Sequence, residues 1–211
     1  MPAFNFNAIL VHVRQHATRG NPRSVIAALD DYGYKIGWHM SVGDVKGAIV
    51  DGLVRQHKPK LMVEIGAFVG YSAVRFASLL PEGARYVSFE VDPAAAQTAA
   101  EMVEFAGLSS VCTIVVGDFK ETVGDVIQKG TVDMFFIDHW KEVYLRDFKV
   151  IEDLGLCHED SVVVADNVIT PGAPDYLKYV AKSKSVKSTR LIDTVLEYTS
   201  TPDGISVSIM N

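Results

Sequence analysis

The chain has 211 residues, 48% of them hydrophobic, and a formal charge of −6 at neutral pH. That apolar content suffices for one sizeable core, and the acidic balance argues against a nucleic-acid surface. No run approaches membrane-spanning length, and Met1-Pro2-Ala3-Phe4-Asn5 lacks the basic and apolar segments of a secretory signal, so the expectation is a cytoplasmic chain that makes no use of a membrane.

In chain order, Asn21-Pro22 opens a helix, and Ser41 with Asp44 three residues on opens another. Residues 1–58 are thus expected to form a helical N-terminal section packed on the sheet. Strands are expected near 60–65, 85–90, 112–116, 132–137 and 161–165, separated by segments of helical period. Asp92-Pro93 caps a helix that Gly107 ends, and Gly155 ends the one that begins near Tyr144. The lysines at Lys178, Lys182, Lys184 and Lys187 form the one basic cluster and read as a solvated helix end and loop. Runs 188–198 and 204–210 alternate like strands, and Pro202-Asp203-Gly204 between them has turn chemistry. Cys112 and Cys157 read as unpaired thiols buried as small apolar groups. The pattern predicts a single α/β domain over 1–211. Its sheet is Rossmann-like and doubly wound, mostly parallel with an antiparallel C-terminal end, with helices on both faces.

Two constellations carry chemistry. The first is Leu61-Met62-Val63-Glu64-Ile65-Gly66 running into Gly70-Tyr71-Ser72, a buried strand entering a glycine turn and then a helix. Gly66 admits close backbone approach, but the third glycine of the dinucleotide fingerprint is missing. A carboxylate at Glu64 repels pyrophosphate and suits an ammonium group, Glu90 at the next strand end suits ribose hydroxyls, and Gly117-Asp118 after the third strand would sit near a nucleobase. The ordered set points to S-adenosylmethionine. The second constellation is Asp138-His139-Trp140-Lys141 with Asp166-Asn167, each closing an apolar strand. Asp138, Asp166 and the Asn167 amide oxygen are hard donors suited to Mg²⁺, and Mn²⁺ would accept the same set. Lys141 stands beside them as a base, and like charge from a metal would favour its neutral amine.

These residues resemble the catechol O-methyltransferase family over nearly the full chain. The matching motifs are Gly37-Trp38-His39-Met40-Ser41-Val42-Gly43-Asp44, Gly70-Tyr71-Ser72-Ala73-Val74-Arg75, Asp138-His139-Trp140-Lys141, Ala165-Asp166-Asn167-Val168-Ile169 and Leu196-Glu197-Tyr198. The resemblance implies Asp138, Asp166 and Asn167 as Mg²⁺ ligands, Lys141 as the base on the accepting hydroxyl, and Glu197 as partner of the second hydroxyl. It implies Met40, Val42, Glu64, Gly66, Tyr71, Ser72, Glu90, Gly117, Asp118, Phe119, Asp138, His139 and Trp140 around S-adenosylmethionine. Trp38, Met40, Trp140, Lys141, Asn167, Pro171, Leu196 and Glu197 would surround a small-molecule catechol, with no obligate protein partner. Asp118, Phe119 and Lys120 depart from the family's small and amide side chains, so adenine contacts there run through backbone or stacking, and Phe68 replaces a tyrosine. The competing readings are an enzyme for larger ortho-dihydroxy phenolics such as caffeoyl conjugates, a non-catalytic S-adenosylmethionine binder, and a dinucleotide oxidoreductase. The intact ligand set opposes the second and the missing glycine the third.

Overall fold

In the computed structural model, residues 5–211 are described; the reading of the N-terminus rests on Met1 to Phe4, outside the described residues. Three helices lead the chain: α1 (Phe6–His16), α2 (Pro22–Lys35) and α3 (Gly43–His57). Next come β1 (Leu61–Ile65), α4 (Tyr71–Ala77), β2 (Arg85–Glu90), α5 (Pro93–Phe105), β3 (Cys112–Val116), α6 (Phe119–Val126) and β4 (Val132–Ile137). The remainder is α7 (Tyr144–Asp153), β5 (Cys157–Ala165), α8 (Pro174–Val180), β6 (Val186–Val195) and β7 (Pro202–Met210). The caps read from the sequence are present where expected: the Asn21 side chain accepts from Ser24 N, and Asp92 accepts from Ala94 N ahead of Pro93. Gly107 and Gly155 take φ of +79° and +59° just beyond α5 and α7, the left-handed region in which glycine ends a helix without Cβ strain.

The seven strands form one sheet in the order β3-β2-β1-β4-β5-β7-β6. The first five pair in parallel, while β7 runs antiparallel to both β5 and β6. Strand alternation divides the core. Met62, Tyr86, Met134, Phe136, Val162 and Val164 pack with α1 to α5 on one face, whereas Val63, Phe89, Phe135, Ile137 and Val163 pack with α6 to α8 on the other. β1 is an interior strand, between β2 and β4, and is buried at all its residues. Both cysteines are free, Cys112 buried and Cys157 half-buried. Lys178, Lys182 and Lys184 lie on α8 and the turn after it, and Lys187 pairs with Asp160 at 2.9 Å. No helix among the described residues is long and apolar enough to cross a membrane.

Two local expectations fail. Ser41 does not cap α3: the helix begins at Gly43 behind Val42 with no side-chain cap, and the Ser41 hydroxyl instead meets the Tyr198 hydroxyl at 3.1 Å. Gly43 takes φ +67° with Glu197 Cβ close against it, so the chain kinks into the helix there and carries Ser41 off its axis. Pro202-Asp203-Gly204 is no turn either. The reversal occupies residues 196–201, closed by Leu196 N donating to Thr201 O at 2.8 Å, and Pro202 opposite Val195 already begins the β6–β7 ladder. Asp203 is therefore a strand residue, and its carboxylate serves a buried cluster rather than a loop.

The switch point of the sheet lies between β1 and β4, where consecutive strands leave in opposite directions and the carboxyl ends open a crevice. Ladder bonds continue past the strand ends: Gly66 N donates to Phe89 O, Asp138 N to Ile65 O, Asp166 N to Ile137 O and Gly117 N to Glu90 O, at 2.8–3.0 Å. The four turns are thus held as extensions of the sheet. Gly66 takes φ +104°, and a Cβ there would lie 2.5 Å from Asp138 O. Gly66→Ala is expected to lower unfolding free energy by about 2 kcal/mol or more in urea titration, because it strains the backbone and pushes apart the β1 and β4 ends.

Candidate active site

Asp138 and Asp166 follow Ile137 and Ala165, which are register partners on neighbouring parallel strands. The two acids therefore start from adjacent strand ends, about 5 Å apart in backbone. Asn167 comes next in the left-handed conformation, φ 51° and ψ 36°, which asparagine tolerates better than most residues. Its Nδ2 donates to Asp203 Oδ2 at 2.8 Å. A carboxylate only accepts, so that bond fixes the amide with its oxygen as the free acceptor. Asp203 remains ionised: burial would raise its carboxyl, but the Thr170 N–H and Lys46 hold it below the usual range.

Lys46 on α3 is the buried counter-charge. Its ammonium has no exposed surface and lies 2.9 Å from Asp166 Oδ2, 3.2 Å from Glu197 Oε2 and 3.2 Å from Asp203 Oδ2. Burial alone would lower the lysine, but Asp166 and Glu197 together drive it well above its ordinary value, so it stays charged. Burial raises the carboxyls of Asp166 and Glu197, and Lys46 opposes both shifts. Apart from that ammonium, Asp166 Oδ2 is buried with no hydrogen-bond partner. Among the described residues no three His, Cys, Asp or Glu side chains converge to hold a metal ion, so an ion here depends on the Asn167 amide as third donor. The hard oxygen set and the partly unsatisfied Asp166 fit a divalent cation of the Mg²⁺ or Mn²⁺ type.

Lys141 stands on a short 3-10 turn, Lys141–Val143, and donates to Asp138 Oδ1 at 3.0 Å and to the Tyr144 hydroxyl at 2.7 Å. Tyr144 is fully buried, and its hydroxyl reaches Ile137 O and Asp166 O, each at 3.0 Å. One phenol thus joins both strand ends to the lysine. His139 stacks on the Tyr144 ring with centroids 5.1 Å apart and places Nε2 2.6 Å from Asp147 Oδ2.

At the carboxyl ends of β1 and β2, Glu64 is fully buried beside Ser88, whose hydroxyl donates to it at 2.5 Å. Burial pushes Glu64 up to about 8, opposed by the Ser72 and Ser88 hydroxyls, and with Ser88 on Oε2 its Oε1 has no hydrogen-bond partner. Glu90 accepts from Phe68 N at 2.8 Å and Asp92 N at 2.9 Å, which holds its carboxylate at the lip of β2. Tyr71 is buried with its hydroxyl on Asp30 at 2.8 Å, and Val42 is wholly within the core. Phe119 is core as well, edge-on to Phe89, so it has no face free to stack on a base; Asp118 caps α6 through Lys120 N. Of the residues expected around an acceptor, Trp38 and Trp140 are half exposed, at 47% and 52%, and Met40 is half-buried, while Pro171 is exposed. Leu196 lies beside Glu197 at the end of β6 and is half-buried.

The chain belongs to the O-methyltransferase family, whose model matches residues 19–192. Within that family its similarity is to catechol O-methyltransferases. It is 43% identical to the mouse enzyme over 95% of this chain and 77% of that one, and 44% identical to the bovine enzyme over 93% and 73%. A probable O-methyltransferase of Mycobacterium tuberculosis is 38% identical over 93% of this chain and 88% of that one. Among solved structures, the O-methyltransferase TomG of Streptomyces achromogenes, in complex with SAM, shares the fold at TM-score 0.74 and 22% identity, covering 99% of this chain and 100% of its own.

Lys46, Tyr144 and Asp203 belong to the site although no local signal in the sequence marks them. Lys46 stands in an ordinary helical pattern, Tyr144 at an ordinary helix start and Asp203 in apparent turn chemistry. Two measurements probe the buried charges. Lys46→Met is expected to cost about 3–5 kcal/mol in chemical denaturation, since it leaves three carboxylates buried without their cation. For Glu64, the unfolded chain ionises near 4.5 and the fold near 8. Its contribution is therefore complete below about pH 4.5 and lost as pH rises through 8, so Glu64→Gln should flatten the decline in stability between about pH 5 and 8.

Proposed function

We propose that this protein transfers a methyl group from S-adenosylmethionine to one hydroxyl of a catechol, assisted by a divalent cation held by Asp138, Asp166 and Asn167. The observation that carries the reading is the Asn167 amide. Its nitrogen is committed to Asp203, which leaves its oxygen as a neutral third ligand beside two acids on adjacent strand ends. A cation at that donor set would supply Lewis acidity toward two vicinal phenolic oxygens, which lowers the pKa of the hydroxyl to be methylated from near 10. S-adenosylmethionine would supply an electrophilic methyl on a sulfonium.

The chain's own groups do the rest. Lys141, oriented by Asp138 and Tyr144, takes the proton of the accepting hydroxyl at Nζ. Glu197, whose Oε2 is held by Lys46, keeps Oε1 for the neighbouring hydroxyl. Vicinal geometry thus becomes the recognition element: one oxygen loses its proton while the other is gripped. Trp38, Trp140, Pro171 and Leu196 present apolar surface to a flat ring and thin the water around the reacting atoms. Glu64 and Ser72 at the β1–α4 turn serve the amino-acid end of the cofactor, where the partnerless Glu64 Oε1 suits an ammonium, and Glu90 serves the ribose. Phe119 and Val42 contribute through backbone only, their side chains being part of the core.

A second reading shares this chemistry with a larger ortho-dihydroxy phenolic as acceptor. The half-exposed Trp38 and Trp140 favour it, because neither indole is packed into the core and both have surface to offer a larger ring substituent.

The test is transfer of labelled methyl from S-adenosylmethionine to catechol, with and without a chelator, with resorcinol as the meta-isomer control. Product from catechol alone, lost on chelation, is the expected result, and Lys141→Ala should lower kcat by roughly 10²–10⁴-fold. Equal methylation of resorcinol, or indifference to chelator, would remove the bidentate mechanism. Turnover of caffeoyl conjugates but not of catechol would select the second reading.

A further inference from the structure

Arg146, on α7, reaches across the carboxyl edge of the sheet. Its Nη2 lies 3.0 Å from each oxygen of Asp118, in the turn after β3, and 3.0 Å from Asp147 Oδ2, while its Nε donates to Asp147 Oδ1 at 2.7 Å. Asp147 has no exposed surface, and its Oδ2 takes His139 Nε2 at 2.6 Å, in the turn after β4. One guanidinium therefore ties the β3–α6 turn to the β4 turn. Between β3 and β4 stand β2 and β1, so the tether spans three strand spacings, about 14 Å. At the ends of those two inner strands stand Glu90, the last residue of β2, and Gly66, the first after β1, the ribose and close-approach positions of the proposed cofactor site.

The link also orients the His139 ring. Burial would raise the Asp147 carboxyl, but its bonds to His139 and Arg146 hold it below the usual range, so it accepts and His139 Nε2 carries a hydrogen. The other ring nitrogen, Nδ1, is buried with no partner in the chain. A buried nitrogen without a partner beside the Gly66 turn is a place for a ligand atom. His139 Cβ lies 3.0 Å from where a Gly66 Cβ would stand, so the side chain starts from beside that turn.

We propose that Arg146 is a positioning residue for the nucleobase end of the cofactor site: by bonding Asp118 and Asp147 together it sets the distance between the β3 and β4 turns and the orientation of His139 between them. The proposal rests on the S-adenosylmethionine reading and extends it. It explains how Asp118, with its carboxylate turned to Arg146, and Phe119, with its ring in the core, still shape a base site: they present backbone, and Arg146 fixes where that backbone lies.

The experiment is calorimetric titration of the wild type, Arg146→Ala, Arg146→Lys and Asp118→Asn with S-adenosylhomocysteine and with its inosine analogue, in which oxygen replaces the exocyclic amine. Mn²⁺ titration of the same proteins reports on the metal site. Arg146→Ala is expected to bind S-adenosylhomocysteine about tenfold more weakly, the loss of one charge-assisted contact. Arg146→Lys and Asp118→Asn should fall between, discrimination between the two purines should narrow, and Mn²⁺ affinity should stay within about twofold. Unchanged affinity and discrimination in Arg146→Ala would overturn the proposal. So would a loss shared equally by S-adenosylhomocysteine, its analogue and Mn²⁺, since that marks general loosening of the fold. A wild type that binds no S-adenosylhomocysteine would sink the cofactor reading itself and this inference with it.

Discussion

A lysine ammonium with no exposed surface is tolerable only where anions surround it, and around Lys46 there are three, from three parts of the chain. Asp166 follows β5, Glu197 stands in the β6–β7 turn and Asp203 opens β7. The lysine itself comes from the N-terminal helical section, whose buried apolar side chains join the core on that face of the sheet. This ionic cluster is therefore what makes the site one object. It holds the proposed metal ligand and the proposed catechol partner at a common centre, and it anchors Asp203, which in turn sets the Asn167 amide. A purely apolar contact would bind the same helices as tightly without specifying the direction of a single oxygen.

The second constraint is the sheet edge. The ladder bonds of Gly66, Asp138, Asp166 and Gly117 carry the regularity of the strands one residue beyond their ends, so the site is built on strand extensions rather than free loops. Tyr144 and Arg146 then brace that edge from α7, one joining the ends of β4 and β5 and the other those of β3 and β4. Both bracing residues lie within the first turn of a helix whose apolar face, through Phe148 and Ile151, is sunk in the second core. Helix packing energy on one side of α7 thus becomes positional accuracy on the other.

Strand positions and most helix caps are legible in the sequence because they depend on short-range causes: apolar runs, an Asx cap before proline, glycine at a helix end. The acids at 138 and 166 are legible for the same reason, since each terminates an apolar run. Lys46, Asp203 and Arg146 are not. Apart from the Arg146 bonds to Asp147 beside it, their roles arise from partners 28 to 157 residues away in sequence, and a local pattern holds no trace of such partners. Ser41 and Pro202-Asp203-Gly204 mislead in the opposite sense. Both carry real cap and turn propensities, overridden here by Gly43 packing on Glu197 and by the β6–β7 register, each a tertiary demand stronger than the local preference.

The two tryptophans have a consequence of a different kind. They are the only ones in the chain, and neither is in either core: Trp38 and Trp140 are 47% and 52% exposed. With excitation to the red of tyrosine absorption, the fluorescence of this protein therefore originates at half-wetted indoles, one in the segment before α3 and one beside the proposed ligands. Emission should already be red-shifted in the native fold and change little on unfolding. A flat aromatic ligand that dries those indoles would shift it to the blue. The chain thus carries its own optical probe of occupancy, with no core tryptophan to obscure it.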